Sequence, residues 1–391
     1  MTALRELLVA TLVVVAAFGV VATPAAATTP TPAPADGLAG ATVAQEDCSF
    51  PFSATDATGT EVTLEQAPER VVTLGPGSAQ TMWEIGAKAK VVGTTQYASY
   101  LDGASSRANV SGTGFAFASV EKIVAQEPDL VLAENVVSPE TVQKLRQAGI
   151  AVYQFESATT IEDVYEKVEL TGNLVGACDG AADSVDWMQT EVEVVTKAAE
   201  GQESPKALYV FGGYTPGPDT YISDLITSAG ATNLAAEADL EYTATGYAQI
   251  NPEVVADLEV EWLLFNSDAP EPRIPDSPAY QNTIAAQQNQ TVVLDANQVS
   301  QPAPRSVLVM RQLAQTWYPE AYAEANASVR GEASAGTTDT SSTQTTMGTD
   351  APTDTATATP EANDSAGGSP GFTVVGAVAA LVSLVALTRR D

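Results

Sequence analysis

Arg70-Val-Val-Thr-Leu-Gly-Pro-Gly-Ser78 decides the fold. Its first half is a short, unbroken run of apolar and β-branched residues, the pattern of a strand buried on both faces. Gly75-Pro76-Gly77 ends that run, and Ala79 to Gly86 then reads as a helix. Working outward, a hairpin pattern turning at Thr58-Gly59 precedes it. After it, Val91-Val92 opens a strand, Val120 to Gln126 reads as a helix and Asp129 to Leu132 as a second buried strand. Pro139 to Ala148 is a helix stopped by Gly149, and Ile150 to Phe155 is the next strand. Strands and helices alternating in this way predict a parallel sheet covered by helices.

A second set of the same kind starts at Lys206. Strands are predicted at Ala207 to Phe211, Trp262 to Phe265 and Thr291 to Leu294, with helices at Tyr221 to Ala229, Pro252 to Asp257 and Val307 to Trp317. Between the two sets, Thr160 to Glu200 carries apolar residues at helical spacing, including Ile161, Val164, Val168, Val185, Met188 and Val192, with an interruption expected at Asp179-Gly180. The predicted fold class is α/β: two Rossmann-like lobes joined by one long helical connector, with a ligand cleft between them, outside the strand ends.

Several fragments in this order resemble one family. They are Arg70 to Ser78, Glu84-Ile-Gly-Ala87, Val91-Val-Gly-Thr94, the segment Ser119 to Val131, Ser228 to Ala235, Ile250-Asn-Pro-Glu253 and Trp317-Tyr-Pro-Glu320. Together they are similar to the periplasmic binding proteins for iron-siderophores and vitamin B12, two-lobed proteins joined by a long helix. The resemblance implies a non-enzymatic solute-binding protein without cofactor, which captures an iron-siderophore-type chelate, or a corrinoid or haem, and delivers it to an ABC permease with ATPase subunits. It also implies that Glu121 and Glu253, matching the family's motif positions, pair with permease arginines; otherwise they are simply acids at helix starts, where the macrodipole favours them. Family members carrying bare zinc or manganese use histidine-rich clefts. This chain has no histidine, so no protein-held metal is expected and a chelated metal is the preferred cargo.

Loops after strand ends should line the cleft. They contain Tyr97, Tyr100, Tyr214, Tyr242 and Tyr247, amphipathic rings suited to a large, amide-rich ligand. The plain alternative for each is a packed, half-buried side chain. Arg273 and Arg305 are candidates for holding a carboxylate or phosphate bidentately. Trp83, among apolar neighbours, reads as core.

Composition narrows the rest. The 391 residues carry 49 acids against 17 basic residues, a net charge of −32, with 45% hydrophobic residues. That is enough apolar content for a core, so the acid belongs on the surface, and so few basic residues argue against nucleic acid as partner. An acidic surface adapted to multimolar salt as in haloarchaea, where screening acts within about 3 Å, is the first reading; a generic acidic extracellular protein is the second. Without histidine, Ser-His-Asp and Cys-His catalysis are excluded. Cys48 and Cys178 suit one disulfide of an exported protein, whereas Gln45-Glu46-Asp47 is too acidic for lipidation of Cys48.

Residues 1–27 have a signal-peptide layout, with Arg5, an apolar run and Ala25-Ala26-Ala27. Residues 28–49 are a linker and 50–326 the binding body (lobe 1 50–158, connector 159–203, lobe 2 204–326). Residues 327–369 form an acidic Thr/Ser-rich stalk with no core-forming pattern. Residues 370–391 carry Pro370-Gly371-Phe372, an apolar stretch to Thr388 and Arg389-Arg390. This tail resembles the Pro-Gly-Phe sorting signal of archaeal surface proteins, which implies processing by an archaeosortase, exchange for lipid and anchoring at the outer membrane face. Sequons at Asn109, Asn289, Asn326 and Asn363 are candidate glycan sites. Two other functions are compatible with such a body: a surface enzyme using paired carboxylates, and an envelope-structural spacer. No G-x-S-x-G elbow or P-loop supports the enzyme.

Overall fold

Residues 48–113, 117–268 and 272–336 are described in a computed structural model of the chain. The strands are β1 Phe52–Thr55, β2 Glu61–Leu64, β3 Val71–Leu74, β4 Val91–Thr94, β5 Ala108–Asn109, β6 Leu130–Ala133 and β7 Ala151–Gln154. They continue as β8 Lys206–Val210, β9 Tyr214–Pro216, β10 Thr232–Asn233, β11 Tyr247–Gln249, β12 Trp262–Asn266 and β13 Thr291–Leu294. The helices are α1 Pro76–Glu84, α2 Val120–Val124, α3 Pro139–Gln147, α4 Ile161–Val175, α5 Cys178–Ala199, α6 Tyr221–Ser228 and α7 Leu234–Glu237. They end with α8 Pro252–Asp257, α9 Pro278–Gln281, α10 Ile284–Gln288, α11 Ala296–Val299, α12 Val307–Trp317 and α13 Pro319–Gly336.

Two parallel sheets form, ordered β5-β4-β3-β6-β7 and β10-β8-β12-β13. Strand alternation explains how each is covered. Val71, Leu130 and Leu132 point into a core that runs through the connector (Val168, Val185, Met188, Val195) to Ala207, Tyr209 and Leu264 of the second sheet. Their neighbours Val72, Leu74, Val131 and Ala133 face the other way, into a separate cluster under α2 and α3 that includes Ile123, Val142 and Leu145. In the second sheet Leu208, Val210, Leu263 and Phe265 do the same toward Leu234, Val255 and Ala285. The two-lobed α/β architecture expected from the sequence is therefore present, with one core shared between the lobes.

The connector differs in detail from its expectation. It breaks at Gly176, which adopts a left-handed conformation (φ 68°) as the C-cap of α4, and not at Asp179-Gly180. Gly180 lies inside α5 because nothing larger fits: a Cβ there would sit 2.1 Å from the Ile85 carbonyl oxygen. α4 opens with a capping box in which Thr160 and Asp163 satisfy each other's backbone N–H groups. α5, 22 residues and about 33 Å long, touches α1 of the first lobe and α6 and α12 of the second. A disulfide joins Cys48 to Cys178 at its first turn, Cα atoms 5.7 Å apart.

α1 starts three residues earlier than the helical pattern implied, because Pro76 is a good first-turn residue. α13 continues to Gly336, so the body extends ten residues past the expected boundary at 326. It docks on α5 through Arg330 on Glu191 and Lys197 on Ser328 (2.8 Å). The expected signal peptide, most of the 28–49 linker, Asn363, the rest of the expected stalk and the expected sorting signal lie outside the described residues. Among the described residues no helix is long and apolar enough to cross a membrane.

Candidate functional site

In a parallel sheet the crevice for a ligand opens where neighbouring strands send their connections to opposite sides. In the first lobe that point lies between β3 and β6, and in the second between β8 and β12. At the first point Gly75 follows β3 and Glu134 follows β6. They touch so closely that a Cβ on Gly75 would lie 2.1 Å from the Glu134 Cγ, and the φ of 145° at Gly75 also suits only glycine. At the second point Phe211-Gly212-Gly213-Tyr214 follows β8 and Ser267-Asp268 follows β12.

The floor between the lobes is polar. Lys167 of α4 donates to Glu134 Oε2 (2.6 Å) and to the Pro302 carbonyl (3.2 Å), and lies 5.1 Å above the Phe155 ring. Gln80, fully buried on α1, donates to Tyr100 Oη (2.8 Å) and the Asn297 carbonyl (3.1 Å) and accepts from the Arg305 N–H (2.8 Å). Tyr100 in turn donates to Gln301 Oε1 (2.8 Å). Asn266, at the end of β12, donates to Tyr209 Oη (3.2 Å) and Ser300 Oγ (2.8 Å).

The predicted ligand contacts divide into two groups. Tyr97, Tyr214 and Tyr247 stand near the cleft as half-buried rings. Tyr97 follows β4 and stacks on Phe117, centroids 5.3 Å apart and planes 10° apart. Tyr214 and Tyr247 lie on the antiparallel β9–β11 ribbon, where Gln249 is opposite Tyr214 and Pro216 opposite Tyr247. Residues opposite each other share a face, so both tyrosines project from one side while Thr215 and Ala248 are buried on the other. Burial pushes the Tyr247 hydroxyl up to about 12 and, by the same cause, Tyr100 up to about 12, so both are neutral donors at any physiological pH.

The remaining predicted contacts are committed within the chain. Arg305 does hold a carboxylate, but it is Glu84 of α1, reached by both Nε and a terminal nitrogen at 2.7 Å. The Tyr100 hydroxyl bridges the lobes, so only its ring remains for a ligand. Tyr242 donates to the Ala235 carbonyl (2.5 Å) and packs its ring on Gly217. Arg273 is exposed and pairs with Asp276 at 3.0 Å. Trp83, read as core, packs on the core while its indole N–H reaches the Asp102 carbonyl (2.8 Å).

Glu121 and Glu253 occupy matching positions. Each is the second residue of a short exposed helix, α2 and α8, whose N-caps are Ser119 and Asn251. Its own backbone N–H and then the Ser119 hydroxyl hold the Glu121 carboxyl below its ordinary value, so it is fully ionised. Asn109 and Asn289 are exposed sequon residues, whereas the Asn326 side chain accepts from Arg330 Nε (2.7 Å) inside α13. Gln80 ends the Gly75–Gln80 loop that the sequence places at the cleft, whereas no local pattern marks Lys167 or Gln301 as site residues. A depression of about 440 Å³ lined by Trp262, Trp317 and Glu261 lies at the amino ends of the second sheet, away from the crevice.

Residues 71–298 match the periplasmic binding protein family. The chain belongs to that family. Such proteins are substrate-binding components that work with an ABC permease, and their family is consistent with export. This binding protein is 39% identical over 318 residues to the cobalamin-binding protein of Halobacterium salinarum, covering 79% of this chain and 84% of the relative. It is 25% identical to an uncharacterized ABC transporter substrate-binding lipoprotein of Bacillus subtilis, over 70% of this chain and 88% of that one. Among solved structures, the heme-binding protein HmuT superposes with a TM-score of 0.59 at 21% identity, covering 69% of this chain and 91% of that one. The vitamin B12-binding protein BtuF of Vibrio cholerae does so with a TM-score of 0.54 at 21% identity, covering 64% and 96%. Those two likenesses are of fold.

Proposed function

We propose that the inter-lobe cleft captures a corrinoid of the cobalamin type and that the protein presents it to an ABC permease, with no turnover of its own. The observation that carries this is the 39% identity to a cobalamin-binding protein across most of both chains. The chemistry of the cleft supports it. A cobalamin brings its own nitrogen ligands for cobalt, so its receptor needs hydrogen-bonding and apolar contacts to the amide-fringed ring and no metal ligand. A chain without histidine, with Tyr97, Tyr214 and Tyr247 beside the cleft, offers that kind of surface. An anionic iron-siderophore, such as a catecholate or carboxylate chelate of the class first implied by the family resemblance, calls for arginine or lysine. Here Arg305 and Lys167 at the cleft floor are neutralised by Glu84 and Glu134.

In this reading Glu121 and Glu253, one per lobe, meet arginines of the permease. The ends of the chain fit export through the signal peptide and retention at the cell surface after an archaeosortase exchanges the tail for lipid. The test is a fluorescence titration of the purified protein in concentrated KCl with cyanocobalamin, haem and a ferric hydroxamate, corrected for absorption by these coloured ligands. Saturation by cyanocobalamin at micromolar or tighter affinity, about −8 kcal/mol or better, is expected. Saturation by haem or the ferric chelate alone would replace the corrinoid reading.

A further inference from the structure

The connector is not the only element that crosses between the lobes. The segment from Asn297 to Arg305 follows the last strand of the second sheet, yet it is gripped from both sides. The second lobe holds it through Asn266 on Ser300 (2.8 Å) and through the Tyr221 hydroxyl on the Gln301 carbonyl (3.2 Å). The first lobe holds it through three side chains, Gln80 on Asn297 and Arg305, Tyr100 on Gln301 and Glu84 on Arg305, and the connector adds Lys167 on Pro302.

These contacts form a connected network with few loose ends. Gln80 has no exposure and uses its amide nitrogen twice and its oxygen once, every bond at or below 3.1 Å. The Tyr100 hydroxyl accepts from Gln80 and donates to Gln301, so the two amides are coupled through one phenol. Buried and mutually satisfied groups of this kind are costly to separate, because each would be left without a partner. Gly77 shows how tightly the first lobe closes over the same place: a Cβ on it would come within 2.9 Å of Glu134 Oε1 and 3.5 Å of the Pro302 carbonyl.

We propose that the Asn297–Arg305 segment is a strap that fixes the aperture of the cleft, with Gln80, Tyr100 and Gln301 as its positioning residues. A body joined along one connector can rock about it. A second line of attachment at the cleft floor removes that freedom, so the rings on the two lobes keep one separation before any ligand arrives. The inference is independent of which ligand the cleft takes.

The test measures lobe separation in ligand-free protein. Spin labels are placed on Glu140→Cys of α3 and Gln288→Cys of α10, with the native disulfide intact, and the distance distribution is read by pulsed electron paramagnetic resonance. The parent should give one narrow distribution. Gln80→Leu and Gln301→Leu, which keep side-chain bulk but break the bridge, should widen it at least twofold toward longer distances. Tyr100→Phe, which removes a single oxygen, should widen it in the same direction and remains decisive if Gln80→Leu does not fold. A lowered Tm with an unchanged distribution in Tyr100→Phe and Gln301→Leu would assign the network to stability alone and overturn the proposal.

Discussion

Asp56 shows how much one carboxylate can organise. It is 4% exposed and accepts hydrogen bonds from the Thr58 N–H (2.9 Å) and hydroxyl (2.6 Å), the Thr60 N–H (3.2 Å) and the Gln154 N–H (3.1 Å), while Arg146 pairs with it. Burial alone would raise its pKa, but these hydrogen bonds outweigh burial and hold the carboxyl below its ordinary value. A carboxyl depressed in the folded state contributes stability above the unfolded value of about 3.9. That contribution is lost as pH falls through the folded value. Thermal melts of the parent from pH 6 to 2.5 should therefore lose Tm chiefly below about pH 4. Asp56→Ala should lose about 3 kcal/mol at pH 7 by leaving Arg146 without its partner, and should be less steeply acid-sensitive. Equal acid sensitivity in the variant and parent would remove Asp56 from this role. At this scale the sequence was informative only where a residue acts locally. Glu121 and Glu253 could be placed at helix starts from their neighbours, but the partners of Gln80, Tyr100 and Arg305 stand 201 to 225 positions away for the bonds that matter most, and no local pattern marks such pairs.

Among elements, the strands and helices flanking Arg70–Ser78 were legible because hydrophobic periodicity and turn residues report burial directly. The connector was legible as helix but not in its break. Gly180 resembles a stop in sequence, yet it sits within α5 because Ile85 approaches it, a packing demand from a distant element. Gly176 takes the turn instead. The Cys48–Cys178 disulfide closes a chain separation of 130 residues at this junction. Loop-closure entropy for a separation of that size is about 4–5 kcal/mol. Reduction should accordingly lower the Tm in melts with and without reductant, and thiol labelling of the unreduced, denatured protein should find no free cysteine. An unchanged Tm after complete reduction would mean that the core alone holds the junction.

For the whole molecule, the chain carries a net charge of −32, and its acids are too numerous to rank by charge. Position does rank Glu121 and Glu253, at equivalent helix starts on the two lobes. Changing both to alanine should abolish ligand uptake by whole cells and leave affinity within about twofold, since a surface change of this kind stays within about 0.5 kcal/mol. Lost affinity in the purified double variant would move these residues from docking to the ligand site. The location of the cleft was readable from the alternation of strands and helices, but its lining was not, because Tyr97, Tyr100 and Tyr242 look alike in sequence and differ only in what their hydroxyls and rings meet. The proposed function seats a corrinoid between the carboxyl ends of the two sheets. The most direct measurement is anomalous diffraction at the cobalt edge from crystals grown with cyanocobalamin. One strong cobalt peak is expected in the cleft between Tyr97 on one lobe and the Tyr214–Tyr247 face on the other. Ordered crystals with no peak there, or a peak elsewhere on the molecule, would contradict it.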